Sequence, residues 1–131
     1  MTDTDITDLL ERFDVRTTRQ RMALARLLFP GPARHVTAEA LHREACAAGN
    51  SVSLATVYNT LNHFLSVGLL REVTVCSGQS WFDTNLDPHF HLYNEATGEL
   101  TDLPEGAVQL DLPPLPDGAS VERVDVIIRI G

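Results

Sequence analysis

Apolar residues recur with a period near 3.6 over the first 70 positions, and with a period near 2 after that. Ile6, Leu9, Leu10 and Phe13 fall at i, i+3, i+4 and i+7, which makes one helical stripe. "TTRQRMALARLLF" predicts a second helix, with Thr17 or Thr18 as N-cap and a stop at Pro30-Gly31-Pro32. "HVTAEALHREACAAG" predicts a third helix, capped by Thr37 and ended by Gly49. "SVSLATVYNTLNHFLSVG" predicts a fourth, from a Ser53 cap to Gly68. "LLREVTVC" and "QSWFDTN" then alternate, predicting two strands joined by a turn at Ser77-Gly78. Helices followed by such a hairpin give the element order of a winged helix-turn-helix.

The fourth helix has a face to spare. Leu54, Val57, Leu61, Phe64 and Leu65 make its apolar stripe, which leaves Ala55, Thr56, Tyr58, Asn59 and Asn62 pointing away. Those side chains are small or hydrogen-bonding, none is acidic, and a tyrosine ring can touch thymine methyls. A helix reading the major groove needs that surface. The alternative is a solvated face, although such faces are usually rich in Glu and Lys.

Beyond residue 84 the pattern becomes short strands and loops. "HFHLYN" and "ELTDL" flank a turn at Glu95–Gly98, and "LPPLPDG" leads to "SVERVDVIIRI", where Val124, Val126 and Ile128 alternate with Asp125, Ile127 and Arg129. So short a segment makes a thin core, and an apolar last strand is more comfortable paired with a second copy. The expected class is α/β (α+β): a winged helix-turn-helix over residues 1–84, then a small C-terminal α/β dimerisation domain over 85–131.

Charge changes the picture only when it is divided. The net charge of −8 speaks against nucleic acid. Residues 1–81, however, carry eight Arg against eight acids, while residues 82–131 carry two Arg against ten. The first part is neutral and can expose a basic face; the second can host cations. The chain has no lysine, which an Arg-codon-rich genome would explain by itself. Cys46 and Cys76 have no CxxC spacing, so neither a disulfide framework nor a Cys-based zinc site is expected. No run approaches the roughly 18 apolar residues of a membrane span, and the acidic start does not read as a signal peptide. A cytoplasmic address with no membrane partner is the expectation.

The chemistry concentrates in "DPHFHLYNEATGEL". On a strand, His89 and His91 at i and i+2 share a face. With a four-residue loop at 95–98, Asn94 faces Glu99 and His91 faces Asp102. Two imidazoles and a carboxylate would then gather on one side of a hairpin, a donor set that Zn, Mn and Fe accept. A one-residue slip would send Asp102 to the other face, and an HxH pair on a strand can also be surface decoration. His35, just before a helix, is a position where a ligand is held firmly; His42 and His63 read as ordinary polar positions.

Taken together, "VSLATVYNTLNHFLSVGLLR", "HVTAEALHREA" and "WFDTN" resemble, in order and spacing, the ferric uptake regulator family over roughly residues 14–103. "VSLATVYNTLN", "FDTN" and "VDVIIRI" look most like its iron response regulator branch, which responds to haem and iron status. The resemblance implies a winged helix joined to a dimerisation domain, with regulatory metal ligands on His35, Asp83, His89, His91 and Asp102. Asp83 stands where many members have Glu. The family's Cys-x-x-Cys zinc site would fall on Asn94 and Thr97, and its second metal site on Pro88, Phe90 and Gln109. One divalent ion per subunit (Mn, Fe or Zn) is therefore expected. Haem is the second ligand the branch implies, at His89 or His91, where it would compete with metal for the same nitrogens.

The implied activity is that of a homodimeric repressor in iron homeostasis that reads an AT-rich palindromic operator. Thr56, Tyr58 and Asn59 would enter the major groove, although many members have Arg at the position of Asn59. Arg16 matches a basic position at the minor groove, and Arg19 and Arg21 are phosphate contacts by type. Two rivals stand beside this reading. One is a small metalloenzyme using the His/His/carboxylate site; the other is a DNA-binding protein whose HFH stretch is inert.

Overall fold

Four side-chain hydroxyls start the four helices. Thr2 caps α1 (Asp3–Arg12): its hydroxyl accepts from the Asp5 N–H at 3.2 Å, and the Asp5 carboxylate accepts from the Thr2 N–H at 2.7 Å. Thr18 caps α2 (Arg19–Leu28), Thr37 caps α3 (Ala38–Ala47) and Ser53 caps α4 (Leu54–Ser66), each accepting the N–H three residues on. Each such cap is worth about 1 kcal/mol. Gly49 and Gly68 follow α3 and α4 at φ +86° and +88°, a conformation that side-chain-bearing residues adopt at a cost.

These elements come from a computed structural model, which describes residues 1–76 and 79–131. The turn expected at Ser77-Gly78 lies outside the described residues. The chain divides into two compact units, Met1–Leu86 and Asp87–Gly131.

In the first unit the helices share one core of Ile6, Leu10, Leu24, Leu28, Leu41, Val57, Leu61 and Phe64. Against it lies a three-stranded antiparallel sheet in the order β1-β3-β2: β1 (His35–Val36), β2 (Arg71–Cys76) and β3 (Gln79–Asp83). Leu69, Leu70 and Phe82 carry the sheet into that core. Two expectations are corrected here. β1 is a strand that the periodicity did not show, because two residues have no period. Leu54 is 37% exposed, and the buried stripe of α4 instead runs Val57, Thr60, Leu61 and Phe64, with Leu65 half-buried. The stripe starts one turn into the helix, so Leu54 in the first turn lies beyond the core.

The second unit is a sheet in the order β5-β4-β6: β4 (His91–Asn94), β5 (Glu99–Asp102) and β6 (Ile127–Ile130). The β4–β5 hairpin has the expected register, His91 opposite Asp102 and Asn94 opposite Glu99, around residues 95–98 with Gly98 at φ +74°. β6 pairs parallel to β4. Both outer expectations shorten: His89 and Phe90 precede the strand, and only the end of "SVERVDVIIRI" is paired. Leu100 is the one buried apolar side chain among this unit's described residues, whereas Ile128 and Ile130 are exposed.

Phe64 sits fully buried at the centre of the first core, with its ring 6.0 Å from Phe29. Phe64→Ala is expected to lower the unfolding free energy by about 3–5 kcal/mol, read as a shifted midpoint in urea monitored by circular dichroism.

Candidate metal centre and nucleic-acid interface

Each unit carries its own set of donor side chains. In the first, β3 is the middle strand, and Asp83 at its end lies opposite His35 on β1 and Arg71 on β2. Directly opposed residues share a face, so His35 and Asp83 are neighbours by register. Asp83 is buried, and its Oδ1 accepts the Asn85 N–H at 2.9 Å. The short strand β1 is pinned by the residue before it. Arg34 exchanges bonds with Thr84, its N–H reaching Thr84 Oγ1 at 2.9 Å and its carbonyl accepting the Thr84 N–H at 2.9 Å. The Arg34 guanidinium grips the Glu44 carboxylate with two bonds of 2.7 and 2.9 Å. The His35 ring meets Trp81 edge-on, with centroids 6.2 Å apart.

In the second unit, His91 Nε2 lies 3.6 Å and His89 Nε2 3.4 Å from the same oxygen, Asp102 Oδ1. The two rings stand 4.5 Å apart. His89 reaches this place from outside the strand, not by strand alternation. Its Nδ1 lies against the Asp87 carbonyl. A carbonyl only accepts, so Nδ1 carries the proton and the neutral ring keeps Nε2 as an acceptor. Both nitrogen–oxygen separations exceed the 2.7–3.2 Å of an ordinary N–H···O bond. They are close to the ~3.3 Å edge of a tetrahedron of donors about 2.0 Å from a zinc ion. Imidazole and carboxylate suit Zn, Mn and Fe alike, so the donors fit a divalent ion. Pro88, Phe90, Leu103 and Pro104 line an open cavity of about 520 Å³ beside His89.

The residues expected to contact DNA all lie in the first unit. Thr56 belongs to the cap of α4: its N–H donates to Ser53 Oγ at 3.1 Å, and its Oγ1 accepts from the Ser53 hydroxyl at 2.9 Å. Tyr58 and Asn59 are exposed. Arg16 is exposed on the α1–α2 link, and its carbonyl accepts from Arg21 Nη1 at 2.9 Å. Arg19 lines a notch of about 260 Å³ with Gln20, Asn50 and Ser51. From Val15 to Ala38 there are five arginines and no acid. Two of the five are held by carboxylates, Arg26 by Asp3 at 2.8 Å and Arg34 by Glu44, which leaves Arg16, Arg19 and Arg21. His42 is an ordinary polar position, its Nε2 bonded to the Val52 carbonyl at 3.0 Å.

Sequence reasoning missed one residue of this face. The exposed side of α4 has no acid of its own, but Glu39 on α3 brings one, and its Oε1 accepts the Tyr58 hydroxyl. The Tyr58 phenol is held above the ordinary tyrosine range, first by this hydrogen bond. The same bond holds the Glu39 carboxyl below its ordinary value. Glu39 sits in the first turn of its helix, where an acid is commonplace, so its position in the sequence carries no signal of this contact.

Residues 12–112 match the profile of the Ferric uptake regulator family. The peroxide-responsive repressor PerR of Staphylococcus epidermidis (strain ATCC 12228 / FDA PCI 1200) is 33% identical over 93 residues, 71% of this chain and 61% of that protein. PerR of Staphylococcus aureus (strain USA300) is 33% identical over 93 residues, 71% of this chain and 62% of its own length. The chain thus spans about three fifths of the length of the curated relatives it matches. These relatives give no specific support to the iron response branch. Among solved structures, the Vibrio cholerae ferric uptake regulator superposes with a TM-score of 0.74 at 21% identity, covering 93% of this chain and 95% of that one. The Pseudomonas aeruginosa ferric uptake regulator, solved with manganese, gives 0.69 at 22% identity, covering 94% and 96%. At such identities the likeness establishes the fold, helices and sheets of the mixed α/β class. With a family profile matched over most of its length, the chain belongs to the ferric uptake regulator family.

Proposed function

We propose that the chain is a metal-responsive transcriptional regulator that binds operator DNA as a homodimer. The observation that carries this reading is the meeting of His89 and His91 on one Asp102 oxygen, a donor set of two imidazoles and a carboxylate that suits a divalent ion. The His35–Asp83 pair is the first unit's contribution to the same ion, with one ion per subunit and residues 1–84 and 85–131 acting as reading and sensing parts. An ion that takes ligands from both units favours one arrangement of the two reading helices over others. It thereby changes DNA affinity, which is the differential interaction a switch requires. Homodimerisation is supported by the exposed Ile128 and Ile130 of a unit with little core of its own. All five ligand positions fall inside the matched residues 12–112, so the metalloenzyme reading is not carried forward.

The finer reading is the iron response branch, in which haem acts at His89 or His91. The apolar cavity beside His89 favours it as the second ligand chemistry.

The chain has one tryptophan, Trp81, and its ring touches His35, so metal entry has a built-in reporter. Mn(II) added to metal-stripped protein is expected to change Trp81 fluorescence and to saturate at about one ion per chain. His91→Ala and Asp102→Ala should each cut metal binding by tenfold or more, on the order of a lost ligand, with unchanged circular dichroism. Undiminished metal content in both variants would overturn the ligand assignment. Anisotropy on an AT-rich palindrome, at one salt concentration, then compares stripped, Mn(II)-loaded and haem-loaded protein. Equal affinity in all three states would overturn ligand control. Loss of binding with haem alone would select the iron response reading.

Arg19→Ala and Arg21→Ala are expected to weaken operator and random DNA alike. The slope of log K against log salt should become shallower by about 0.9 for every phosphate that is no longer neutralised. An unchanged slope in both variants would remove these arginines from the interface.

A further inference from the structure

We infer that Glu39 positions Tyr58 for base reading and makes it reject guanine. The inference rests on the DNA-binding reading above. It begins with a charge in an unexpected place. From Ala45 to Arg71 the sequence holds no acid, which suits a surface that approaches phosphates. Glu39 lies outside that stretch, yet its carboxylate meets the exposed side of α4 through the Tyr58 hydroxyl. Arg43, one turn on along α3, attracts the Glu39 carboxylate and offsets part of the charge.

The bond decides what Tyr58 can offer a base. A phenol has one O–H to donate, and here Glu39 takes it. The side chain is left with oxygen lone pairs and an apolar ring. Those match the amino groups of adenine and cytosine and the methyl of thymine, but not guanine, which shows only the acceptors O6 and N7 in the major groove. A tyrosine free of Glu39 could turn its O–H to guanine. The carboxylate also repels the phosphates of any DNA, whatever its sequence. Affinity must therefore come from matched base contacts, and wrong sites gain least.

The test uses the full chain, an operator, and operators with single guanine substitutions across each half-site, read by anisotropy at fixed salt. Glu39→Ala is expected to raise the preference for the guanine-substituted site at the Tyr58 position over random DNA about five-fold relative to the wild type, the scale of one gained hydrogen bond. Tyr58→Phe placed on top of Glu39→Ala should cancel that gain, because the gain needs the phenol O–H. Glu39→Gln keeps an oxygen acceptor for Tyr58 but not the charge, so it should retain wild-type discrimination while binding random DNA more tightly.

Ultraviolet titration supplies a readout that does not depend on DNA. With Tyr58→Phe used to assign the signal against Tyr93, the Tyr58 phenol should fall toward the ordinary value near 10 in Glu39→Ala. Unchanged base discrimination in Glu39→Ala, or a guanine gain that survives Tyr58→Phe, would overturn the inference. A wild-type protein that binds no DNA at all would overturn the regulator reading first, and the inference with it.

Discussion

The pairing of a two-residue strand sets the position of two of the five candidate metal ligands. β1 pairs with the end of β3 through His35 opposite Asp83 and Val36 opposite Phe82. Alternation makes this pairing all or nothing. With Val36 and Phe82 in the core, His35 and Asp83 must share the other face, and a slip of one residue would bury the histidine and expose the valine. Two residues cannot hold such a register by their own ladder bonds. Arg34 and Thr84 exchange two bonds at the open end of the pair, and Arg34 ties the strand to α3 through Glu44. That ion pair is about a third exposed, so its energetic worth is about 1 kcal/mol or less. Its role is to fix where β1 lies.

The second unit solves the same problem with less material. Its donors are set by a tight hairpin whose loop length fixes which residues face each other. Leu100 supplies nearly all its buried apolar surface among the described residues. A unit with so little core is sensitive to anything that binds only its folded form, since such binding adds directly to stability. An ion on His89, His91 and Asp102, or a second copy against Ile128 and Ile130, would act in this way. The proposed sensing and assembly would in that sense be continuous with folding.

The first helix was legible from its apolar period alone, and the other three because each carries a start signal as well. Thr18, Thr37 and Ser53 stand immediately before apolar stripes, and glycines close two of the helices. The hairpin register was legible because Gly98 and the loop length leave few alternatives. β1 was not legible, since two residues show no alternation, and Leu54 was misplaced because a period says nothing about where the core ends. The Glu39–Tyr58 bond joins residues 19 positions apart on different helices, and no local pattern encodes that. Family resemblance supplied His35 and Asp83, which lie 48 positions apart in the sequence and meet only through the sheet.

The acidic charge of the chain is compatible with DNA binding because the charges are sorted by place. Most of the acid excess lies beyond residue 81. In the first unit, Asp3 and Glu44 are occupied with Arg26 and Arg34, and three arginines remain around the start of α2. In a DNA-binding protein, so few cations would give a modest non-specific affinity, since each neutralised phosphate adds one increment of counterion release. On the DNA-binding reading proposed above, Glu39 would lower that affinity further at the face of α4. A regulator of the proposed kind, built this way, would lean on base contacts for its binding energy, and a small change in how its two reading helices are spaced would then become a large change in occupancy. Weak non-specific attraction would thus be the condition under which a single bound ion could act as an effective switch in the proposed regulator.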